Sequence, residues 1–460
     1  MKFSDMSSIT VPPGELTLWH VRGPHISDIR WITDKRRAAL NQESSILDIV
    51  EARKSGQANP SWLACRFSMA SDINTDAFAK TISAWTDRHE NLRTHLISSG
   101  YPLQRVTLAE GNLKVEQETP PHISVRSQLI NYLENRFDTE VGPLHWPGYL
   151  IATVSNTHST TVFVAIDHTL TDGYSILEVP YEFHTLYTAF MTSSDMTSFK
   201  DILPSVISYP DFAEEERAAA DMIHSDDEDI LRWKKFILES GGELPKFPIP
   251  IDASVIPGRA QFEDYVELLD MKTASLFGKA CRSAGGDIFS GLLTCMASVT
   301  YQITGASEFR TMIPLHTHKN QRQSSMGWYV GMAPVSFQID GDADFEKTLS
   351  KAVCGLRGVK NLARIPIPKL SELLKQPLRD PFMVSFMDLR RVAGSANWTE
   401  WQTSTLRCRS FDPYEICFWF FLTRNGLFVN YRYPASEVAK AVLSDFVTRI
   451  KAMTLSIPDL

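Results

Sequence analysis

The stretch TTVFVAIDHTLTDG, residues 160–173, carries the strongest structural and chemical signal of the chain. Its first half is an uninterrupted apolar and β-branched run, which is typical of a strand buried on both faces. The run ends at Asp167, and His168 follows directly. A histidine at the end of a buried strand is held by a rigid scaffold, and the ordinary pKa of histidine suits proton transfer from a hydroxyl. The pattern therefore predicts His168 as a general base.

An aspartate and a glycine complete this motif. Asp172 lies four residues after His168, and across a loop this spacing favours a carboxylate that folds back and fixes the loop. Gly173 tolerates the backbone angles of such a turn. A buried carboxylate needs a charged partner, so we predict that Asp172 pairs with Arg93 or, as second candidate, Arg88. The motif alone also fits a loop histidine without chemistry.

The segments around this stretch predict an α/β fold. The run YLIATVS, residues 149–155, is joined to the first strand by the polar stretch NTHST, which indicates a β-hairpin or two neighbouring strands. Upstream, Asn74 or Thr75 is expected to cap a helix. Downstream, Pro180 is expected to kink or restart a helix.

The second half of the chain also mixes helices with strands. Helices are predicted at 273–284 and from 287 to about 304, separated by the stop signal Gly285-Gly286. The runs FRTMIPL, APVSFQI and PFMVSFMDL have the composition of strands. Asn425-Gly426 stands between two β-rich runs, which is a strong hairpin signal.

A polar and proline-rich stretch separates the two halves. Residues 194–258 are first acidic and then rich in proline, which suits a surface crossover, although a solvated loop with one helix fits equally well. We predict an N-terminal lobe at 1–193 that carries His168, a crossover or linker at 194–258 and a C-terminal lobe at 259–460. Each lobe is expected to combine a sheet with flanking helices, with a ligand site in the cleft between the lobes.

The composition is that of an ordinary folded protein. Of the 460 residues, 43% are hydrophobic and 22% are charged, and the formal net charge is -8. Nucleic-acid binding rests on clustered Lys and Arg, so an acidic chain argues against DNA or RNA as a partner. The N-terminus lacks the apolar core of a signal peptide, and no apolar stretch approaches the roughly 20 residues that span a bilayer. We therefore expect a cytoplasmic protein without a transmembrane segment.

Several motifs resemble those of one superfamily. DRHENLRTHL (87–96) and IDHTLTDG (166–173) resemble two motifs of the condensation-domain superfamily, which includes chloramphenicol acetyltransferase. Within it, the likeness is strongest to the actinobacterial polyketide-synthase-associated acyltransferases that esterify trehalose. The segments that carry this likeness are PGELTLWHV (13–21), ELPKFPIP (243–250), MGWYVGMAPV (326–335) and DPFMVSFMDL (380–389).

The resemblance implies a fold and a reaction. The fold is two chloramphenicol-acetyltransferase-like lobes, mixed sheets with flanking helices, around a central tunnel. The reaction is transfer of an acyl group from a CoA or carrier-protein thioester to a hydroxyl of a sugar, trehalose or a similar polyol, without a covalent acyl-enzyme, a bound cofactor or a metal. An amide-forming condensation enzyme and an inactive docking module of a synthase are the alternatives.

Two departures from the superfamily concern possible site residues. Most members have a second histidine before the catalytic one, where this chain has Asp167, as the trehalose branch does, so no catalytic role is expected there. Where relatives tend to carry an arginine, this chain has His316 and His318. Their spacing puts two imidazoles on one face of a strand, but no third metal ligand is obvious nearby.

Four further residues are candidates for substrate binding, beside His316. Trp328 and Tyr329 are expected to stack on a sugar or to line the acyl channel, or else to be core aromatics of a tight turn. Trp19 and His20 are candidates for the acceptor pocket, although a packing role suits the tryptophan as well. The tetrahedral oxyanion would be stabilised by a backbone N–H near Gly173 or by the indole of Trp328.

Overall fold

The computed structural model describes residues 3–6, 9–56, 60–97, 102–192, 200, 202–251, 258–318, 325–340, 344–379 and 382–457. Within these ranges the chain forms sixteen β-strands and twelve α-helices. None of the helices in the described ranges is both long and apolar enough to cross a bilayer.

The chain divides into two compact units that are not contiguous in sequence. Unit 1 comprises Met1–Met222, His318–Tyr329 and Val392–Cys408, and unit 2 comprises the remaining residues. The predicted lobes are continuous stretches of chain, whereas unit 1 takes in two segments from the second half of the sequence. The exact lobe boundaries and the tunnel between the lobes stay predictions.

Unit 1 is built on a seven-stranded sheet. Its strands, in spatial order, are β1 (Phe3–Ser4), β14 (Ser404–Arg407), β4 (Trp62–Met69), β9 (Thr160–Asp167), β8 (Tyr149–Ser155), β2 (Glu15–Arg22) and β7 (Lys114–Glu118). Neighbours are antiparallel except β1 and β14, which are parallel. The predicted hairpin of β8 and β9 is confirmed, and β9 is the central strand, with every residue buried.

A second, three-stranded sheet and five helices complete unit 1. The strands are β3 (Trp31–Asp34), β6 (Gln104–Leu108) and β5 (Thr94–Ile97), and the helices are α1 (Leu40–Lys54), α2 (Thr75–Arg88), α3 (Arg126–Glu140), α4 (Val179–Thr192) and α5 (Tyr209–Asp221). Asn74 caps α2, because its side chain accepts a hydrogen bond from the Ala77 N–H at 2.9 Å. Pro180 lies in the first turn of α4, where its missing N–H costs nothing, so the predicted helix restart is confirmed.

Buried aromatic side chains hold β9 on both faces of the large sheet. On one face, Phe183 of α4 packs edge-on against Trp85 of α2, with ring centroids 5.3 Å apart, and against Phe67 of β4 at 5.7 Å. On the other face, Phe137 of α3 lies 6.5 Å from Phe163 of β9. Burial of one such side chain is worth roughly 1.5–3 kcal/mol. The end of β9, where His168 follows, is therefore a fixed point of unit 1.

Unit 2 contains a six-stranded mixed sheet. Its strands, in spatial order, are β10 (Phe262–Asp270), β16 (Gly426–Tyr433), β15 (Ile416–Leu422), β13 (Phe382–Asp388), β11 (Glu308–His316) and β12 (Val330–Gln338). Its helices are α6 (Glu228–Glu239), α7 (Met271–Ser283), α8 (Ile288–Thr304), α9 (Phe345–Gly355), α10 (Val359–Leu362), α11 (Ile367–Leu374) and α12 (Glu437–Ser456). The predicted strands and the Asn425-Gly426 hairpin are confirmed, and Gly426 adopts a φ of 150°. The described part of the predicted crossover contains two helices, α5 and α6, rather than one.

Candidate active site

His168 lies where β9 ends. It is the first residue of a short 3-10 helix, His168–Leu170, and its backbone N–H donates to the Ser61 carbonyl at 2.7 Å. The side chain is half-buried, and its ring centroid lies 4.6 Å from that of Trp328. The strand thus fixes the backbone of the predicted base, while part of its imidazole stays accessible.

Asp167 anchors the turn that carries His168. Its fully buried carboxylate accepts hydrogen bonds from the Thr169 N–H at 2.9 Å, from the Thr169 hydroxyl at 2.5 Å and from the Ser61 hydroxyl. Burial raises the pKa of Asp167, and these hydrogen bonds oppose the rise. One of these contacts holds the backbone of the turn and two join side-chain hydroxyls, so the carboxylate is satisfied by its immediate surroundings.

Two side-chain amides from outside the motif hold the carbonyls of the same turn. Gln42 Nε2 donates to the Thr169 carbonyl at 2.6 Å, and Asn91 Nδ2 donates to the Leu170 carbonyl at 3.3 Å. Both amides are buried. The turn after His168 is therefore fixed from both ends.

Asp172 is fully buried, and its carboxylate accepts three backbone N–H groups. Oδ1 accepts from Tyr174 at 3.0 Å and from Ser175 at 2.8 Å, and Oδ2 accepts from Tyr329 at 3.0 Å. These bonds satisfy a buried carboxylate without a cation. The predicted ion pair is wrong, because no arginine among the described residues contacts this carboxylate. The predicted structural role of Asp172 rests on backbone amides instead.

Arg93 and Arg88 bind elsewhere in unit 1. Arg93 donates to the backbone carbonyls of Asp87 at 3.2 Å and Leu108 at 2.5 Å. Arg88 Nε donates to Glu182 Oε1 at 2.8 Å. Arg88 is the last residue of α2, and Arg93 ends the 3-10 helix Glu90–Arg93 that follows it, so both side chains bind acceptors other than the loop of His168.

Gly173 separates Asp172 from a second 3-10 helix, Ser175–Leu177. It is not among the described residues with a positive φ. The role of Gly173 in allowing the backbone angles of this turn stays a prediction. The Asp172 carboxylate holds the turn through the N–H groups that follow.

Residues 325–329, which we call the tryptophan segment, precede β12 and contain Trp328 and Tyr329. Side chains from the first half of the chain bind the backbone of this segment, which explains why it belongs to unit 1. The hydrogen bonds join Met326 N–H to His89 Nδ1 (3.1 Å), Ser175 Oγ to the Gly327 carbonyl (3.2 Å), Tyr209 OH to the Trp328 carbonyl (3.2 Å) and Tyr329 N–H to Asp172 Oδ2 (3.0 Å).

The two aromatic side chains of the tryptophan segment have different surroundings. Trp328 is half-buried and lies against His168, with the two ring planes at 54°. Tyr329 is 0% exposed and packs edge-on against Tyr209, with ring centroids 5.0 Å apart. The Phe212 ring is tilted against it, with centroids 4.8 Å apart. Trp328 therefore remains a candidate for substrate contact. Tyr329 does not, because its ring is part of the core.

Gly327 and Gly331, which flank Trp328, Tyr329 and Val330, each allow a neighbouring group to approach closely. A Cβ atom at Gly327 would lie 2.1 Å from a ring carbon of Tyr209. A Cβ atom at Gly331 would lie 1.9 Å from the carbonyl oxygen of Ala363. No side chain fits at either position without moving its neighbour.

Trp19 and His20 lie on opposite faces of β2, as alternation along a strand requires. Trp19 is 4% exposed and packs edge-on against Phe78, with centroids 4.8 Å apart. His20 Nε2 lies 2.8 Å from a carboxylate oxygen of Glu118 on the neighbouring strand β7. Trp19 thus has the packing role, and the structure does not bring either residue into contact with the predicted base.

His316 and His318 do not form a pair on a strand. β11 ends at His316, which belongs to unit 2, whereas His318 belongs to unit 1 and lies 5.6 Å from the Tyr329 ring. A substrate contact of His316 stays a prediction. In the described ranges, no group of three or more His, Cys, Asp or Glu residues is arranged to hold a metal.

Several residues that hold the site carried no assigned role in the sequence. His89 lies inside the DRHENLRTHL motif, and this position is the sequence signal that could have pointed to its role. Ser175, Tyr209 and Glu182 show no pattern, because each contacts a partner far away in sequence. Such pairs become visible only in the folded chain.

The Condensation domain family matches residues 54–458 of this sequence. The chain belongs to the Condensation domain family. This Condensation domain protein is 23% identical over 322 residues to the acyltransferase PapA3 of Mycobacterium tuberculosis, over 68% of this chain and 66% of that relative. It is 26% identical over 249 residues to the 2'-acyl-2-O-sulfo-trehalose (hydroxy)phthioceranyltransferase PapA1 of the same organism, over 53% of this chain and 47% of that relative. The chain thus spans less than two thirds of the length of both.

A solved structure shows the same fold. The PapA2 acyl transferase superposes on this Condensation domain protein with a TM-score of 0.88, covering 100% of both chains at 18% sequence identity. The likeness confirms the predicted α/β fold with mixed sheets and flanking helices. The predicted resemblance to the condensation-domain superfamily and to the Pap acyltransferases is confirmed as well.

Proposed function

We propose that this protein is an acyltransferase that moves an acyl group from a thioester to a hydroxyl, with His168 as the general base. One observation carries the proposal: a half-buried imidazole follows the central strand of unit 1, on a backbone fixed at both ends of its turn. The curated relatives named above are acyltransferases, which supports the same reaction class.

The reaction needs only one proton carrier. His168 takes the proton of the acceptor hydroxyl while the hydroxyl oxygen forms a bond to the thioester carbonyl carbon. The tetrahedral intermediate then collapses, the C–S bond breaks, and the imidazolium returns the proton to the departing thiolate. A thioester is already activated, so positioning and stabilisation of the oxyanion supply the rest of the rate enhancement.

The tetrahedral oxyanion needs a donor close to His168. The indole N–H of Trp328 is one candidate, because its ring lies 4.6 Å from the imidazole. A backbone N–H near Gly173 is the other. Trp328→Phe separates them, because it removes the indole donor and keeps an aromatic ring.

The acceptor that we propose is a sugar hydroxyl, of trehalose or a similar polyol, and the donor is an acyl-CoA or an acyl carrier protein. The acceptor is supported by the name of PapA1, which describes an acylated sulfo-trehalose substrate. An amine acceptor, as in amide-forming condensation, is the competing assignment.

Thiol release tests this proposal. Acetyl and palmitoyl groups, each as a CoA thioester and as a carrier-protein thioester, are incubated with trehalose, a hydroxyl panel or an amine, and the parent is compared with His168→Ala. Loss of the base is expected to lower acceptor-dependent release by roughly 10²- to 10⁴-fold. His158→Ala, an exposed histidine in the loop between β8 and β9, is the matched control and should release thiol at the parental rate.

Three results would overturn the assignment or a part of it. Release that is equal in the parent and in His168→Ala excludes the proposed base. Absence of release from every CoA and carrier-protein thioester would point to a docking module instead. Release that depends on the amine alone would replace the hydroxyl acceptor by an amine.

A further inference from the structure

A buried side-chain network lies behind the tryptophan segment and centres on His89. This histidine is 2% exposed and directly follows α2. Its Nδ1 accepts the Met326 N–H at 3.1 Å, and its Nε2 lies 2.7 Å from Glu182 Oε2. An Nδ1 that accepts an N–H carries no hydrogen, so the hydrogen is on Nε2 and donates to the carboxylate. The two bonds together select one tautomer and one ring orientation.

Glu182 on α4 is the anchor of this network. Its Oε1 accepts from Arg88 Nε at 2.8 Å, and its Oε2 also accepts from the Trp85 indole at 3.1 Å. Burial would raise the pKa of Glu182, but the His89 ring and the Arg88 guanidinium outweigh it and lower the pKa to about 2. The carboxylate is therefore a permanent acceptor that holds the His89 ring from behind.

The tryptophan segment connects His89 to the reaction centre at His168. Met326 is two residues before Trp328, whose ring lies against His168. Three other side chains bind the backbone of Gly327, Trp328 and Tyr329. His89 binds the backbone near the start of the segment, at Met326.

We infer that His89 is a positioning residue for acyl transfer, which sets the place of the Trp328 ring beside His168 through the Met326 N–H. The inference rests on the proposed function but concerns a residue outside the His168 motif. In this role, the hydrogen bond that Nδ1 accepts from the Met326 N–H is essential. A purely structural His89 would contribute only through its burial and its hydrogen bond to Glu182.

Two conservative variants separate these roles, because each keeps one half of the imidazole. His89→Asn places an amide oxygen near the position of Nδ1 and loses the bond to Glu182. His89→Gln keeps a donor near the position of Nε2 and loses the acceptor for the Met326 N–H. His184→Gln is the matched control, since His184 lies on the same helix as Glu182 and its ring stacks on Trp401, 4.1 Å away.

The first readout does not depend on turnover. The protein is labelled with 5-fluorotryptophan, and the Trp328 resonance is assigned through Trp328→Phe. His89→Gln is expected to shift or broaden that resonance, while His89→Asn and His184→Gln leave it near its parental position. An unmoved Trp328 resonance in folded His89→Gln overturns the inference whatever the activity, and an equal shift in His184→Gln overturns it as well.

The second readout is steady-state kinetics with the acyl-CoA and acceptor that the parent uses. We expect His89→Gln to lower kcat by roughly tenfold with little change in KM, the effect of one lost hydrogen bond on positioning. His89→Asn should stay within about threefold of the parent. Equal losses in both variants would assign His89 a structural role only.

A measurement on the parent covers the case in which His89→Gln does not fold. The protein is labelled with ¹⁵N-methionine, and the Met326 amide is assigned through Met326→Leu. A buried N–H bound to Nδ1 is expected to exchange slowly with solvent. Rapid exchange of this amide in the folded parent overturns the inference.

Discussion

The loop at residues 167–177, which we call the histidine loop, and the tryptophan segment meet ring to ring in unit 1, but they are held in opposite ways. The histidine loop is fixed largely by its own carboxylates, since Asp167 and Asp172 bind N–H groups two and three residues further on. The tryptophan segment is fixed through its backbone by side chains from other elements. The histidine loop thus supplies two of its own anchors, to which Gln42 and Asn91 add hydrogen bonds from outside, whereas side chains of other elements hold the backbone of the tryptophan segment.

This difference determines how each region responds to substitution. In the histidine loop, the identity of a few side chains is decisive, because those side chains make the bonds. In the tryptophan segment, backbone groups make the bonds, so the decisive residues are the distant partners and the glycine that allows their approach. The following predictions test this contrast, from the largest expected effect to the smallest.

Asp172→Ala affects both regions at once. It leaves two buried N–H groups and one partly buried N–H group without their acceptor, at about 1–3 kcal/mol each for a buried group, so we expect a loss of roughly 3 kcal/mol or more in the free energy of unfolding. Urea titration measures this loss. Asp270→Ala is the control, since Asp270 caps α7 in an exposed position and its loss should cost about 1 kcal/mol. Equal losses would show that the two regions do not share Asp172.

Low pH should weaken the hydrogen bond between Glu182 and His89, the residue that binds the tryptophan segment at Met326. The pKa of Glu182 is lowered from 4.5 to about 2, so its stabilisation is fully present above about pH 5 and is lost as pH falls towards 2. Glu182→Gln is expected to be less stable at pH 7 and to lose less stability than the parent between pH 5 and pH 3, as measured by urea titration at each pH. Parallel pH profiles would contradict the charge assigned to Glu182.

Gly327→Ala tests the close approach to the tryptophan segment. The new Cβ would lie 2.1 Å from the Tyr209 ring, and overpacking of this kind costs about 1–3 kcal/mol. Gly142→Ala is the matched control, because its Cβ would meet only His145 at 3.8 Å. Thermal unfolding compares the two variants. A Gly327→Ala protein as stable as the control would mean that Tyr209 yields and does not fix the segment.

Much of the fold was predictable because the signals are local. The Asn74 cap, the Pro180 restart, the hairpin of β8 and β9 and the Asn425-Gly426 turn each depend on residues within a few positions of one another. The set of chain segments that make up unit 1 was not predictable in this way. Its sheet takes β14 from the second half of the chain, and strand pairing between positions such as Arg66 and Ser404 leaves no periodic mark in either segment.

By itself, the sequence determined where the histidine loop begins, because a buried strand, a histidine and an aspartate follow one another in a single stretch. Tertiary structure alone decided what Asp172 binds, since backbone N–H groups of any residue satisfy its carboxylate and no arginine is needed. It also decided that Trp328 lies beside His168 while Tyr329 is core. Hydrogen bonds to backbone groups set the positions of these two side chains. The N–H and C=O groups are the same at nearly every residue, so a sequence does not show which of them a distant side chain will bind.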